Sequence, residues 1–253
     1  MQPPLRIAVL ETDTPLPSVN ARYKDEGYYG MFSGFLKSSA KALGQEGLDP
    51  ETGLQMTKWD VVDAQEYPKL EDIDAVLLTG SKHNSFEDVP WINRLVEFTQ
   101  QILAQDRVRI LGICFGHQIV GRALGAKVGR SDRGWELAVC DMDLTEKGKE
   151  FFGLEKIRIQ QMHQDIVYNC PPGATLLGSS PRCAVQGMYA PRRFVTVQGH
   201  PEFTGETETE IIQSRTKAGV FSEEQAQDAL GRVDMEHDGV PIGVAFLKFL
   251  LED

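Results

Sequence analysis

Apolar residues along this chain fall into two regimes. In the first half, short apolar runs alternate with stretches at helical spacing. Ile7 to Leu10 and Ala75 to Leu78 are continuous runs of the kind that strands buried on both faces show. Gly30 to Leu43 carries apolar residues at helical spacing and stops at Gly44, and Ile92 to Leu103 reads as a second helix. Asp60 to Val62 is a further strand candidate, and Ile110 to Ile113 reads as the central strand, with a helical stretch directly after it. Strands alternating with helices predict a parallel sheet covered on both faces.

From Val128 to Val197 the pattern becomes one of repeated short strands, at Leu137 to Leu144, Ile157 to Met162, Thr175 to Leu177, Ala184 to Tyr189 and Phe194 to Val197. Pro171-Pro172-Gly173 and Ala190-Pro191-Arg192-Arg193 separate them as turns, so this half is expected to be mostly antiparallel and folded back on the parallel sheet. Glu206 to Lys217, Ser222 to Leu230 and Ile242 to Leu251 read as closing helices, the middle one opened by a capping box from Ser222 to Gln225. The expected fold class is therefore α/β: a mixed, mainly parallel central sheet flanked by helices, with a smaller antiparallel sheet. No repeat, low-complexity tract or linker interrupts the pattern, and residues 1–253 are expected to form a single domain.

Composition narrows the function. The formal net charge of −11 argues against a nucleic-acid partner, which would ask for a basic face. The longest apolar stretches are too short to span a bilayer, and Met1-Gln2-Pro3-Pro4-Leu5-Arg6 runs into a strand without a signal-peptide pattern. A cytoplasmic protein without membrane contact is expected, with the nucleus left open. The four cysteines are widely spaced and form no C-x-x-C pair, which argues against a zinc site or a disulfide framework. Cys140 and Cys183 read as small core residues and Cys170 as a loop thiol, so the chemistry falls to Cys114.

Cys114 stands in Gly112-Ile113-Cys114-Phe115-Gly116, between an apolar run and a helical stretch. That is the pattern of a nucleophile elbow, in which a strand ends, one residue passes through a tight turn, and a helix aims its positive end back at the side chain. The two glycines leave room for that turn and for a thiol exposed above the sheet. A thiol so placed ionises more readily, and the thiolate is the reactive form. A base and an orienter are supplied by Gly199-His200-Pro201-Glu202. Pro201 pushes His200 away from helix, so His200 and Glu202 are expected at i and i+2 of an extended segment, pointing the same way.

Gly112-x-Cys114-x-Gly116-x-Gln118 together with His200-Pro201-Glu202 resembles the signature of the class I glutamine amidotransferase domain. Tyr29-Gly30-x-Phe32, Leu77-Leu78-Thr79-Gly80-Ser81, Asp88-x-Pro90-Trp91-Ile92 and Met162-His163-Gln164-Asp165 extend the resemblance over nearly the whole chain, toward the stand-alone γ-glutamyl peptidase branch. The resemblance implies the flavodoxin-like fold of that family and a triad of Cys114, His200 and Glu202. It also implies cleavage of a γ-glutamyl amide through a thioester on the cysteine.

The oxyanion formed on attack needs donors already in place. The N–H of Phe115 at the helix start is one candidate, and Gly80, at the end of the neighbouring strand, is the other, as the resemblance also implies. Gln118 falls one helical turn after Cys114, so its amide is expected beside the thiol, against the α-amino and α-carboxylate groups of a glutamyl unit. Gly134 and Trp135 match the place where family members hold the same end with main-chain groups, and His163 and Asp165 match a family His-x-Asp motif at the substrate rim. His83, His117 and His237 are assigned packing or surface roles, with His83 close enough to Gly80 to border the pocket. The amine side is expected to be built by loops: Thr12 to Asp25, His83 to Val89, and Gly205 onward, with Tyr23, Tyr28, Tyr29 and Phe86 as lining candidates.

The mechanism expected is thiolate attack by Cys114 with His200 carrying protons and Glu202 orienting it, and no metal or organic cofactor. The preferred reading is a hydrolase acting on glutathione-like peptides or conjugates. Two others remain: a glutaminase subunit supplying ammonia to a separate synthase, and a catalytically silent regulatory protein. The intact Cys, His and Glu count against the last.

Overall fold

The computed structural model describes residues 1–24 and 26–252; Asp25, the last residue of the expected first loop, lies outside the described residues. In chain order the first half runs β1 (Leu5–Glu11), α1 (Pro17–Arg22), α2 (Gly27–Leu43), β2 (Leu54–Asp60), β3 (Ala75–Leu78), α3 (Pro90–Leu103), β4 (Arg109–Ile113) and α4 (Phe115–Ala123). The second runs β5 (Val128–Arg130), β6 (Glu136–Leu144), α5 (Glu146–Phe152), β7 (Ile157–His163), β8 (Asp165–Val167), β9 (Thr175–Ser179), β10 (Gly187–Ala190) and β11 (Phe194–Val197). Helices α6 (Gly205–Lys217), α7 (Glu223–Leu230) and α8 (Gly239–Leu251) close the chain.

Nine strands form one sheet in the order β2-β1-β3-β4-β11-β10-β9-β6-β7. The first five are mutually parallel, and the ladder turns antiparallel from β10 onward. β5 and β8 make the separate, small antiparallel sheet. The mixed α/β architecture read from the pattern is the one found.

The sheet forms here because β1, β3, β4 and β11 bury side chains on both faces, and successive residues divide between two cores. Ile7, Val9, Leu77, Leu111 and Val195 face α2 and α8, meeting Phe32, Phe246 and Phe249. Ala8, Leu10, Val76, Ile110 and Phe194 face α3 and α4, meeting Leu95, Ile102 and Ile119. α2 stops where expected, at Gly44, which adopts φ +60°. Ser222 and Gln225 form the reciprocal capping box expected for α7.

Some boundaries differ from the expectation. The strand expected at Asp60 to Val62 is β2, which ends at Asp60. It pairs only with β1, and its mixture of buried and exposed side chains hides it from a search for apolar runs. The run from Ala184 becomes strand only at Gly187, and its register against β9 is irregular between Gly187 and Met188.

Candidate functional site

β4 and β11 lie side by side in parallel, with Ile113 opposite Val197, so the segments leaving their C-terminal ends meet above the sheet. Cys114 leaves β4 and donates its N–H to the Val197 carbonyl at 2.9 Å. Its backbone is at φ +51° and ψ −100°, a conformation that a residue with a Cβ rarely adopts. Closely packed glycines surround this turn. A Cβ on Gly116 would lie 2.4 Å from the Leu78 carbonyl oxygen, and one on Gly112 would lie 2.7 Å from Thr196 Cγ2. α4 starts at Phe115, whose N–H, in the first turn, has no intrahelical carbonyl to serve. The thiol is not exposed as the elbow pattern predicted: Cys114 is only 5 % accessible, because loops roof the sheet edge and leave it at the floor of a cavity.

His200 leaves β11 after the bend at Gln198-Gly199 and is pinned by its own N–H, which donates to the Gln160 carbonyl at 2.7 Å. Pro201 and Glu202 then form a turn, where an extended segment was expected. The turn still brings His200 Nδ1 to 2.8 Å from Glu202 Oε1, with both side chains buried. The imidazole stacks on Phe203, with centroids 4.0 Å apart and planes at 11°. Gly80 approaches the ring so closely that a Cβ there would stand 2.6 Å from His200 Cε1. Burial opposes a charge on His200. The negative charge of Glu202 and that of Cys114, together with hydrogen bonds to both, nevertheless hold its pKa well above the ordinary value. A proton on this imidazole is thus stabilised from both sides.

Cys114, Phe115, Gln118, Trp135, His163 and Asp165 line one cavity of about 290 Å³. Gln118 is buried and its amide is engaged: Oε1 accepts from Ser85 Oγ at 2.7 Å, and Nε2 donates to the Asp165 carbonyl at 2.9 Å and to Gln198 Oε1 at 3.2 Å. Asp165 Oδ1 pairs with Arg130 at 2.6 Å. Trp135 lines the cavity, but its carbonyl accepts from Arg182, so that main-chain group is taken. Gly134 lies in the left-handed turn before β6, at φ +82°, and does not line the cavity. His83 borders it, edge-on to Trp91 at 5.2 Å. His117 is buried with Nδ1 2.8 Å from Thr196 Oγ1, and burial pushes its pKa down to about 3, which keeps it neutral.

Beneath the cavity, Glu136, His163 and Cys183 bring donor atoms within 4.8 Å of one another, a set that could hold a metal ion. Other contacts already engage it. Glu136 accepts from Ser180 Oγ at 2.7 Å and Gln186 Nε2 at 2.8 Å, and its Oε2 lies 3.1 Å from His163 Nε2. Burial pushes the Cys183 thiol up to about 12. These contacts describe a polar network that fixes the His163 ring. All four cysteines are free.

A second cavity of about 240 Å³ lies on the far side of His200. Gly80 and His200 line it, as do Leu16, Tyr28, Met31 and Ile211, and it shares Ser81, Lys82, Met162 and Arg215 with the first. All three expected loop regions reach these two cavities, but of the aromatic candidates only Tyr28 lines either one. Phe86 is exposed, and Tyr29 turns its hydroxyl to the Met56 carbonyl at 3.4 Å. Lys82 and Arg215 were missed. Lys82 follows Gly80 and Ser81 at the end of β3 and was legible from that position, whereas Arg215 sits on an otherwise ordinary amphipathic helix.

The family model for glutamine amidotransferase class-I matches residues 32–217. A glutamine amidotransferase-like protein of Schizosaccharomyces pombe is 38% identical over 97% of this chain and 98% of its own length. Gamma-glutamyl peptidase 3 of Arabidopsis thaliana is 32% identical over 85% of each chain. Among solved structures, a glutamine amidotransferase from Thermotoga maritima superposes with a TM-score of 0.73 at 18% identity, covering 97% of this chain and 98% of that one, a likeness of fold. By sequence and by architecture, then, this chain belongs to the class I glutamine amidotransferase family.

Proposed function

We propose that the chain hydrolyses γ-glutamyl amide bonds of glutathione-like peptides or conjugates by way of a γ-glutamyl thioester on Cys114. The observation that carries the reading is the buried His200–Glu202 hydrogen bond of 2.8 Å, with Cys114 as the other partner of the imidazole. Homology to plant γ-glutamyl peptidases supports the substrate class. In the first half-reaction Cys114 Sγ adds to the γ-carbonyl carbon, and the oxyanion is received by the N–H groups of Phe115 and Gly80. The C–N bond breaks as protonated His200 gives its proton to the leaving nitrogen. Water then adds to the thioester and passes a proton to His200. The C–S bond breaks, and glutamate leaves.

The glutamyl unit lies in the cavity walled by Trp135, His163 and Asp165, with Gln118 and Gly134 framing it through the backbone they hold in place. The leaving amine lies on the His200 side. The continuous nine-stranded sheet supports reading residues 1–253 as one domain. Among the described residues no helix is long and apolar enough to cross a membrane. Four unpaired thiols fit a reducing compartment such as the cytoplasm.

The test is an assay of the purified chain alone, without ATP or added metal. Glutamate release from glutathione or a glutathione S-conjugate is expected at higher kcat/KM than from glutamine, since ammonia offers no binding energy on the amine side. Cys114→Ala is expected to abolish it, while Cys140→Ala and Cys170→Ala retain most of it. Glutamine hydrolysis that appears only on adding a synthase-type partner would overturn the reading.

A further inference from the structure

Cys114 lines only the first cavity and His200 only the second. If His200 hands a proton to the departing nitrogen, the second cavity receives the amine that leaves. This step rests on the γ-glutamyl hydrolase reading. The walls of that cavity are largely apolar, with Leu16, Tyr28, Met31 and Phe203 among them. Besides His200, whose charge Glu202 offsets, its charged lining residues are Asp13, Lys82 and Arg215. Asp13 and Lys82 pair with each other at 2.6 Å and cancel, which leaves the charge of Arg215.

Arg215 is built as a receptor. It projects from α6 at the waist shared by the two cavities, half-buried, with its guanidinium over the Trp135 ring at 5.7 Å from the centroid. Trp135 is itself fixed edge-on against Phe221, with centroids 4.9 Å apart. A cation–π contact of this kind positions a guanidinium without consuming its N–H donors. Among the described residues no carboxylate lies within ion-pair distance of it. Arg22 on α1, by contrast, meets both Glu206 and Glu210, and Arg130 meets Asp165. A preorganised, partly desolvated arginine without a carboxylate partner is suited to binding one bidentately.

We propose that Arg215 is a specificity-determining residue whose guanidinium receives the carboxylate of the leaving amino acid or peptide. The preferred substrates are then γ-glutamyl amides whose amine part carries both a free carboxylate and a bulky apolar substituent, the first for Arg215 and the second for the slot between Leu16, Tyr28 and Met31.

A matched pair of probes tests this: γ-glutamyl-phenylalanine and γ-glutamyl-phenylalaninamide, which differ only in the carboxylate. The wild type is expected to favour the acid in kcat/KM by about tenfold or more, the range of a charge-assisted hydrogen bond. In Arg215→Gln the ratio of acid to amide should fall to near one, and Arg215→Lys should restore part of it. Wild-type cleavage of the amide alone already supports the underlying hydrolase reading, so equal wild-type rates on the two probes overturn only the assignment of Arg215. A ratio unchanged by Arg215→Gln, or an equal loss on both probes, also overturns it. Cleavage of neither probe by the wild type overturns the assignment of Arg215 and of the apolar slot, while the hydrolase reading falls only if glutathione and its S-conjugate are not cleaved either.

Discussion

Glu208 shows how much one side chain can matter in this site. It is fully buried on α6, accepts from the Ala138 N–H at 3.2 Å through Oε1, and has no hydrogen-bond partner for Oε2. Burial pushes its pKa from the usual 4.5 up to about 7, and the nearby charge of Glu202 adds to the rise, against the pull of His200, the Ala138 N–H and Arg215. Because the folded value lies above the unfolded one, the folded form binds the proton more tightly. Stability is therefore greatest below the unfolded value and is lost as pH rises from about 4.5 to about 7. The cost above that window is on the order of 3 kcal/mol. Glu208→Gln should accordingly raise Tm over wild type at pH 8, and much less at pH 4.5; an equal shift at both would point to packing instead. Gly80 makes a second case. Since a Cβ there would meet the Cε1 edge of His200 at 2.6 Å while Phe203 is stacked on one face of the ring, Gly80→Ala should displace the ring. Steady-state kinetics should then show kcat lower by about a hundredfold with little change in Tm. The motifs that hold Cys114, His200 and Glu202 stood out because each is local in sequence. Glu208 and Arg215 were not, since nothing in Thr207-Glu208-Thr209 or Ser214-Arg215-Thr216 says which side chain turns inward.

Among the elements, those with strong periodicity were the ones that could be read. β3, β4 and β11 are mostly apolar and buried at every position, and α3 puts Ile92, Leu95, Phe98 and Ile102 on one buried stripe. The missed elements lack such a signal. α1 and α5 are 6 and 7 residues long, and β5 and β8 have 3 each, too few to display a period. α5 is set by its ends, with Thr145 accepting from the Gly148 N–H at 3.0 Å and Gly153 at φ +69°. β2 was shifted because an edge strand covered on one side need not be apolar. The same reasoning ranks substitutions. Gly116→Ala drives a methyl into Leu78 of β3, where backbone cannot yield, and should destabilise by roughly 1–3 kcal/mol in denaturant melts. Ser222→Ala removes only the side-chain cap of α7 and should cost about 1 kcal/mol.

Over the whole molecule, burial is deepest where the parallel strands run and thinnest at the margins. Native-state hydrogen exchange should therefore be slowest in β1, β3, β4 and β11, and fastest in β2 and the β5–β8 ribbon; uniform protection would contradict this ordering. The change from alternating helices and strands to repeated strands told where the ladder changes sense, near β10. It did not tell that β7 would reach the His200 turn, because the bridge from Gln160 to His200 joins a strand to a turn that no local pattern connects. That Cys114 and His200 leave neighbouring strands has one more consequence. β4 and β11 belong to opposite halves of the chain, so the pair proposed to react is assembled only in molecules whose first and second halves have already zipped together. A γ-glutamyl electrophile that labels Cys114 would then act as a census-taker, counting chains in which these two strands have joined during synthesis or refolding and passing over every compact species in which that pairing is missing.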